Sequence, residues 1–263
     1  MPVLDGLGGF GSGSESDETG GLFKLDVPVP VESITFAGLE YVPTHAGVLE
    51  ADFNGTSVKL QHDAGATGCG GKLWPAGELL SRYLVSAKDD ESYVGHQVWK
   101  RAKDNVVRVL ELGSGTGLVG LVLGNAMKNA GHEENIKITI TDQINMMGLM
   151  TSNVRLNGLE DIVTPTELDW GSDSSGMKVP DVILAADCVY FEPAFPLLEK
   201  TLLDLTGPNT LVLMSYKKRR RADHKFFHSI RKSFIIEEVK NYKEYPEFSR
   251  ETVFLYRLIP KRK

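Results

Sequence analysis

The sequence predicts an α/β fold built on a seven-stranded, mainly parallel sheet with helices on both faces. Three observations lead there. From residue 106 onward, short apolar segments of strand character alternate with longer segments of helical spacing. The first of these strands runs straight into a glycine-rich turn, and the last two strands follow each other with no clear helix between them. At 263 residues, 41% of them hydrophobic, the chain fits one large domain with extensions and can bury a sizeable core.

Residues 1–21 are rich in Gly, Ser, Asp and Glu, too polar to offset the entropy of ordering, and are expected to form a disordered acidic tail. Residues 22–70 read as a small β extension. Ile34 and Phe36 begin it, Val48 to Phe53 continue it, and Asn54-Gly55 supplies a hairpin turn before Val58-Lys59-Leu60. The main domain is expected over 71–263. It opens with a helix, since Leu73, Trp74, Leu79, Leu80, Tyr83 and Leu84 fall at helical spacing and Pro75 suits a first turn. Ala87 to Asn105 reads as a linker or insertion. Strands follow at Val106–Leu112, Ile136–Thr141, Ile162–Thr164, Val182–Ala186, Thr210–Ser215, Phe234–Val239 and Thr252–Ile259, with helices at Leu118–Ala130, Asn145–Leu156, Ala194–Leu205 and Ala222–Lys232.

The most informative segment is Val106 to Gly117, where a β-branched strand meets Glu111 and then three alternating glycines, Gly113, Gly115 and Gly117. Glycine is needed where a backbone turns tightly or a ligand approaches too closely for a Cβ, and the following helix presents free N–H groups there. A dinucleotide fingerprint would place glycine three after Gly115, where this chain has Leu118. An acid two positions before the first glycine would repel a pyrophosphate, so Glu111 suits a cationic ligand better. S-adenosylmethionine carries a sulfonium and an ammonium and no phosphate. Asp142, at the tip of the second strand, is placed to accept from ribose hydroxyls. After the third strand, Trp170 can stack on adenine, with Asp169 accepting from its exocyclic amine.

Glu-x-Gly-x-Gly-x-Gly resembles motif I of the class I, seven-strand methyltransferases, whose Rossmann-like sheet ends in an antiparallel hairpin. After the fourth strand, Asp187-Cys188-Val189-Tyr190 stands where nucleic-acid and glutamine N-methyltransferases carry Asn-Pro-Pro-Tyr. This Asp-x-x-Tyr resembles the non-SET protein-lysine methyltransferases, methyltransferase-like family 16. The likeness extends over about Phe36 to Ile259, through Trp74, the 111–117 loop, Asp142, Asn153, Trp170 and Ala186 to Tyr190. It implies S-adenosylmethionine as cofactor, held by Trp74, Glu111, Gly113, Ser114, Gly115, Asp142, Asp169, Trp170 and Ala186, and a protein as substrate. Ser215 to Asp223 further resembles a fungal branch acting on translation elongation factor 1A. The 87–105 insertion is longer than this family leads one to expect.

In such an enzyme Asp187 and Tyr190 are the expected catalytic residues. A lysine amine is almost wholly protonated at neutral pH and has no lone pair until it loses that proton, yet a nearby carboxylate favours the ammonium. Asp187 is therefore assigned to capturing and orienting the lysine, with a share in relaying its proton, and Tyr190 to flanking it by cation–π contact. Without motif I, the same two residues would read as a helix cap and a packed aromatic.

Other signals weigh less. The net charge of -6 argues against a nucleic-acid partner. Cys69 and Cys188 are too few for a disulfide framework. No metal is expected, since His224 and His228 share a helix face without a third ligand. No membrane anchor is expected, because no apolar run approaches the roughly 18 residues that cross a bilayer, and a cytoplasmic monomer is anticipated. The basic run Lys217 to Arg221 reads equally well as a solvated face or as a docking rim. Rival readings are a methyltransferase for a small molecule or nucleic acid, a nicotinamide-dependent oxidoreductase, and a non-catalytic module that keeps the cofactor pocket.

Overall fold

The computed structural model describes residues 42–44, 47–62 and 68–261. The expected tail at 1–21 and the expected strand positions Ile34 and Phe36 lie outside the described residues. The chain begins with a three-stranded antiparallel sheet of β1 (Val42–Thr44), β2 (Val48–Phe53) and β3 (Thr56–Gln61), in the order β1-β2-β3. Asn54 and Gly55 both have positive φ, 53° and 87°, which is what a two-residue turn matching strand twist requires. Alternation along β2 and β3 sends Leu49, Ala51, Phe53, Val58 and Leu60 into the core.

Helices α1 (Pro75–Ser86) and α2 (His96–Asp104) lead into β4 (Val107–Leu112). There follow α3 (Leu118–Asn129), β5 (Ile136–Asp142), α4 (Met147–Leu156), β6 (Val163–Glu167), β7 (Val182–Ala186), α5 (Phe195–Leu205), β8 (Leu211–Lys217), α6 (Asp223–Ile230), β9 (Phe234–Glu238), α7 (Tyr245–Arg250) and β10 (Val253–Pro260). The seven strands of the second sheet lie in the order β6-β5-β4-β7-β8-β10-β9. The pairs within the first five are parallel, whereas β10 runs antiparallel to both β8 and β9. Strand order reverses between β4 and β7. In open α/β sheets a ligand crevice opens at that point, outside the carboxyl ends of the strands.

Three expectations change. Leu73 and Trp74 precede the first helix, which starts at Pro75; Trp74 is extended, with φ of -122°. The segment 87–105 contains α2, a helix whose polar residues hid it but whose Val98, Trp99 and Ala102 are buried. Trp99 Nε1 donates to the Leu84 carbonyl at 2.8 Å, and Arg101 donates to the carbonyls of Asp181 (2.9 Å) and Asn209 (3.2 Å). Those two carbonyls precede β7 and β8, so the insertion buttresses the amino ends of the strands and stands away from the crevice. Lastly, the short helix α7 separates the final two strands.

The small sheet meets the main domain through asparagines. β3 is an edge strand, and an edge leaves backbone groups unpaired. Asn153 Oδ1 accepts from Gln61 N (2.7 Å) and its Nδ2 donates to Gln61 O (3.0 Å) and Thr116 O (2.9 Å). One turn on, Asn157 repeats the pattern on Lys59 N (3.0 Å) and Lys59 O (2.7 Å), and Asn125 Nδ2 donates to Ser57 O (3.2 Å). The side chains thus take the place of a fourth strand, and Asn153, fully buried, ties that edge to the backbone just before α3. Replacing Asn153 by Ala strands buried backbone groups and is expected to lower stability by about 2–3 kcal/mol, read from the midpoint of urea unfolding. Asn157→Ala, at a more exposed site, should cost about 1 kcal/mol, and equal losses would contradict this account.

Candidate active site

The turn between β4 and α3 is left-handed at each glycine, with φ of 60° at Gly113, 55° at Gly115 and 84° at Gly117. Space is as tight as conformation. A Cβ at Gly113 would lie 2.8 Å from the Trp170 ring and 3.2 Å from Cys188 Sγ, and one at Gly115 would lie 2.6 Å from the Gly70 carbonyl oxygen. The turn is held to the neighbouring strand by Ser114 N donating to Thr141 O (2.9 Å) and is closed on itself by Gly117 N donating to Ser114 O (2.7 Å). Asp142 closes it. Its Oδ2 accepts from Gly115 N and its Oδ1 from Gln143 N, both at 2.8 Å, and burial pushes its carboxyl up. A carboxylate has about four acceptor sites, so each oxygen keeps one for a further donor such as a ribose hydroxyl.

Two side chains expected at the cofactor face the other way. Glu111 is 2% exposed and its Oε2 accepts from Gly120 N at 2.8 Å, beneath α3. Burial pushes its carboxyl up to about 8, with Asp142 adding to the effect, so Glu111 supports the turn from inside and does not present a charge to a cation. The Ser114 hydroxyl donates to Glu111 O (3.3 Å) and accepts from Thr141 N (3.0 Å), which joins the tips of β4 and β5.

Gly120 went unremarked in the sequence. A Cβ there would meet Ile140 Cγ2 at 2.4 Å and Glu111 Oε2 at 2.8 Å, so glycine permits α3 to lie close against β5. Counted from Gly115, the spacing Gly115-x-Gly117-x-x-Gly120 does satisfy the dinucleotide pattern, so spacing alone does not exclude that ligand.

Trp170 lies half-buried against Gly113, while Asp169 is exposed and accepts from Gln143 Nε2 at 3.3 Å. At the tip of β7, beyond half-buried Ala186, Asp187 is 8% exposed and has φ of 59°, an uncommon conformation for a non-glycine residue that Asp tolerates better than most. Its carboxylate is gripped at both oxygens by Arg219, Nη1 to Oδ1 at 2.7 Å and Nη2 to Oδ2 at 2.6 Å, and Oδ1 also accepts from Lys217 N at 3.3 Å. The Arg219 guanidinium lies over the Trp74 ring, 5.1 Å from its centroid. Next along the chain, Cys188 donates to the Leu112 carbonyl at 3.1 Å, and burial pushes its thiol up. Tyr190 is 40% exposed.

The structure therefore gathers Gly113, Gly115, Asp142 and Trp170 at one set of strand tips, and Asp187, Arg219 and Trp74 beside them. It turns Glu111 and Ser114 inward. The basic run is neither wholly solvated nor a uniform rim, since Arg219 engages Asp187 and Arg220 lies 3.6 Å from the buried Asp223. Among the described residues, no group of three His, Cys, Asp or Glu side chains is arranged to hold a metal.

The family described as lysine methyltransferase matches residues 52–233. The chain belongs to that family. The protein-lysine N-methyltransferase EFM6 of Saccharomyces cerevisiae is 39% identical over 260 residues, covering 92% of this chain and 98% of the yeast protein. The protein N-lysine methyltransferase METTL21A of Danio rerio is 34% identical over 69% of this chain and 76% of its own length. The EEF1A lysine methyltransferase 3 of Xenopus tropicalis is 31% identical over 69% of this chain and 77% of its own. The chain is thus a protein-lysine N-methyltransferase, a transferase with a protein substrate and S-adenosylmethionine as its methyl donor, and the oxidoreductase, small-molecule, nucleic-acid and non-catalytic readings fall away. Among the described residues no helix is long and apolar enough to cross a membrane.

Glu111 supplies a pH test. The unfolded chain releases this proton near 4.5 and the folded protein at about 8, so the folded state holds more protons between those values. Its contribution to stability is complete below 4.5 and is lost as pH rises towards 8. Glu111→Gln keeps an acceptor for Gly120 N without ionising. Melting temperatures of the two proteins should converge or cross in the variant's favour between pH 5 and 8; a constant difference would show that Glu111 does not titrate this way.

Proposed function

We propose that this lysine methyltransferase modifies a lysine of translation elongation factor 1A, with Asp187 receiving and orienting the lysine amine and Tyr190 flanking it. The observation that carries the reading is the placement of Asp187, a nearly buried carboxylate in a left-handed conformation at the tip of β7, one residue before a cysteine that packs against Gly113. An acid held there at a conformational cost of about 1–2 kcal/mol is better explained by a task than by packing. Support for the substrate comes from the Xenopus relative, whose name states that it acts on EEF1A, and from the Ser215 to Asp223 segment. That substrate implies a reaction in the cytosol.

The residues present fit the cofactor. Gly113 and Gly115 let backbone approach where no Cβ fits, Asp142 keeps an acceptor site on each oxygen, and Trp170 offers a ring beside Gly113. We assign these, with the backbone of Ser114 and Ala186 and the carboxylate of Asp169, to holding it. S-adenosylmethionine supplies an electrophilic methyl group on a sulfonium. The chain's own contribution is to hold the lysine nitrogen in one orientation and to admit it without its proton, since positioning of held reactants accounts for most of the acceleration in such a displacement.

The test is transfer of labelled methyl into elongation factor 1A purified from cells lacking this protein, followed by mass spectrometry. Wild type should label one lysine, and Asp187→Ala should lose at least about a hundredfold in rate while retaining cofactor in equilibrium dialysis. Labelling of other proteins but not elongation factor 1A would overturn the proposed substrate, and full activity of the variant would overturn the role of Asp187.

A further inference from the structure

Asp187 poses an electrostatic difficulty that Arg219 resolves. An isolated carboxylate facing the substrate would stabilise lysine as its ammonium ion, which has no lone pair to react. In this protein the carboxylate is not isolated. Arg219 fills it with two parallel hydrogen bonds of 2.7 and 2.6 Å, and Lys217 N adds a third at 3.3 Å. Of about four acceptor sites, one remains, on Oδ2. The arginine is fixed from its other face by the Trp74 ring. Planar bidentate pairing and stacking are together what guanidinium does and ammonium does not.

Two ion pairs stand side by side: Arg219 from the turn after β8 with Asp187 beyond β7, and Arg220 with Asp223 on α6, while Lys217, Lys218 and Arg221 of the same run add positive charge around them. Asp223 accepts from the Tyr216 hydroxyl at 2.7 Å and from Arg220 N at 3.1 Å, and Tyr216, held by burial and by Asp223, stays protonated. Cys188 remains a neutral thiol. The Lys217 side chain is half-buried at the same strand end, and Asp142 and Glu111 stand beyond Cys188, at the tips of β5 and β4.

We infer that Arg219 is a positioning residue for the transfer: it holds Asp187 as a neutral pair, so that the substrate lysine enters as its free amine and donates one hydrogen bond to the remaining site on Asp187 Oδ2. The proton leaves to solvent water as the lysine is desolvated, and no base of the protein is consumed. Tyr190 stands farther along the same segment and bears on the direction of approach. The inference rests on the reading that Asp187 receives the lysine.

The full chain is assayed with S-adenosylmethionine and purified elongation factor 1A from neutral to alkaline pH, as wild type, Arg219→Gln and Arg219→Lys. The profile of kcat reports the bound lysine. Removing the positive charge leaves Asp187 free to grip the ammonium, so Arg219→Gln should lower KM, lower kcat at neutral pH roughly tenfold, and move the kcat midpoint up by about one pH unit. Arg219→Lys keeps the charge and should keep the midpoint even where its looser geometry slows the reaction. A second readout needs no turnover. Calorimetric binding of elongation factor 1A in buffers of different ionisation enthalpy should show close to one proton released per complex for wild type and less for Arg219→Gln. Loss of kcat by the same factor at every pH, with KM raised, would make Arg219 a structural strut and overturn the inference. A gain in kcat would also overturn it, because Arg219 would then compete with the lysine. Transfer that Asp187→Ala abolishes, with an unmoved midpoint in Arg219→Gln, overturns this inference alone. Failure of wild type to methylate elongation factor 1A overturns the substrate reading and this inference with it.

Discussion

At Gly113, Gly115 and Gly120 the backbone is packed against its neighbours with no space for a Cβ, and the rest of the site follows from that closeness. Gly115 meets the Gly70 carbonyl, Gly113 meets Trp170 and Cys188, and Gly120 meets Ile140 and Glu111. Each contact brings a different part of the chain to one place: the segment before α1, the loops after β6 and β7, and the second strand of the sheet. A methyl group at any of these positions would push one of those parts away. With three positive φ values in the turn, the N–H groups of Ser114, Gly115 and Gly117 reach Thr141, Asp142 and Ser114, so the turn is tied down by the chain's own hydrogen bonds.

Glu111 and Asp142 show how one shape sorts two acids into different work. Both sit at strand tips, yet one is sealed beneath a helix and inclined to stay protonated, whereas the other keeps an exposed flank and unused lone pairs. Backbone N–H groups bond to both, one to Glu111 and two to Asp142. What separates them is the side of the turn on which each carboxyl emerges. That is fixed by pleat direction: along β4 the Glu111 side chain points to the face that α3 covers.

The sheet was legible in the sequence because its signals are local. β-branched runs mark β4, β5 and β7, and glycines at alternate positions mark the turn after β4. The positions of Asp142, Trp170 and Asp187 at or just beyond strand tips were legible because each follows an apolar run. The remainder depends on partners distant in sequence. Helix α2 has only a narrow apolar stripe among polar and charged residues, and its partners Asp181 and Asn209 are far along the chain. Nothing local distinguishes Arg219 from the four basic residues around it; its role arises because β7 and β8 are neighbours, which puts residue 187 beside residue 219. The inward turn of Glu111 was hidden for a related reason, since Gly120 read as part of an apolar helix and not as the gap that receives a carboxylate.

The asparagine staple on β3 has a consequence for how the protein behaves in company. A short antiparallel sheet with a bare edge can recruit the same strand from another molecule, because the pairing that completes it is sequence-tolerant. Here the exposed rung is already occupied by amides that copy a peptide's donor and acceptor but belong to helices, which cannot be extended by adding another chain. The β3 edge of the small sheet is finished from within its own polypeptide, and β1 forms its other edge. Protection of the β3 edge against strand addition is therefore set by three side chains, one on α3, one on α4 and one capping α4, and not by the composition of the strands themselves.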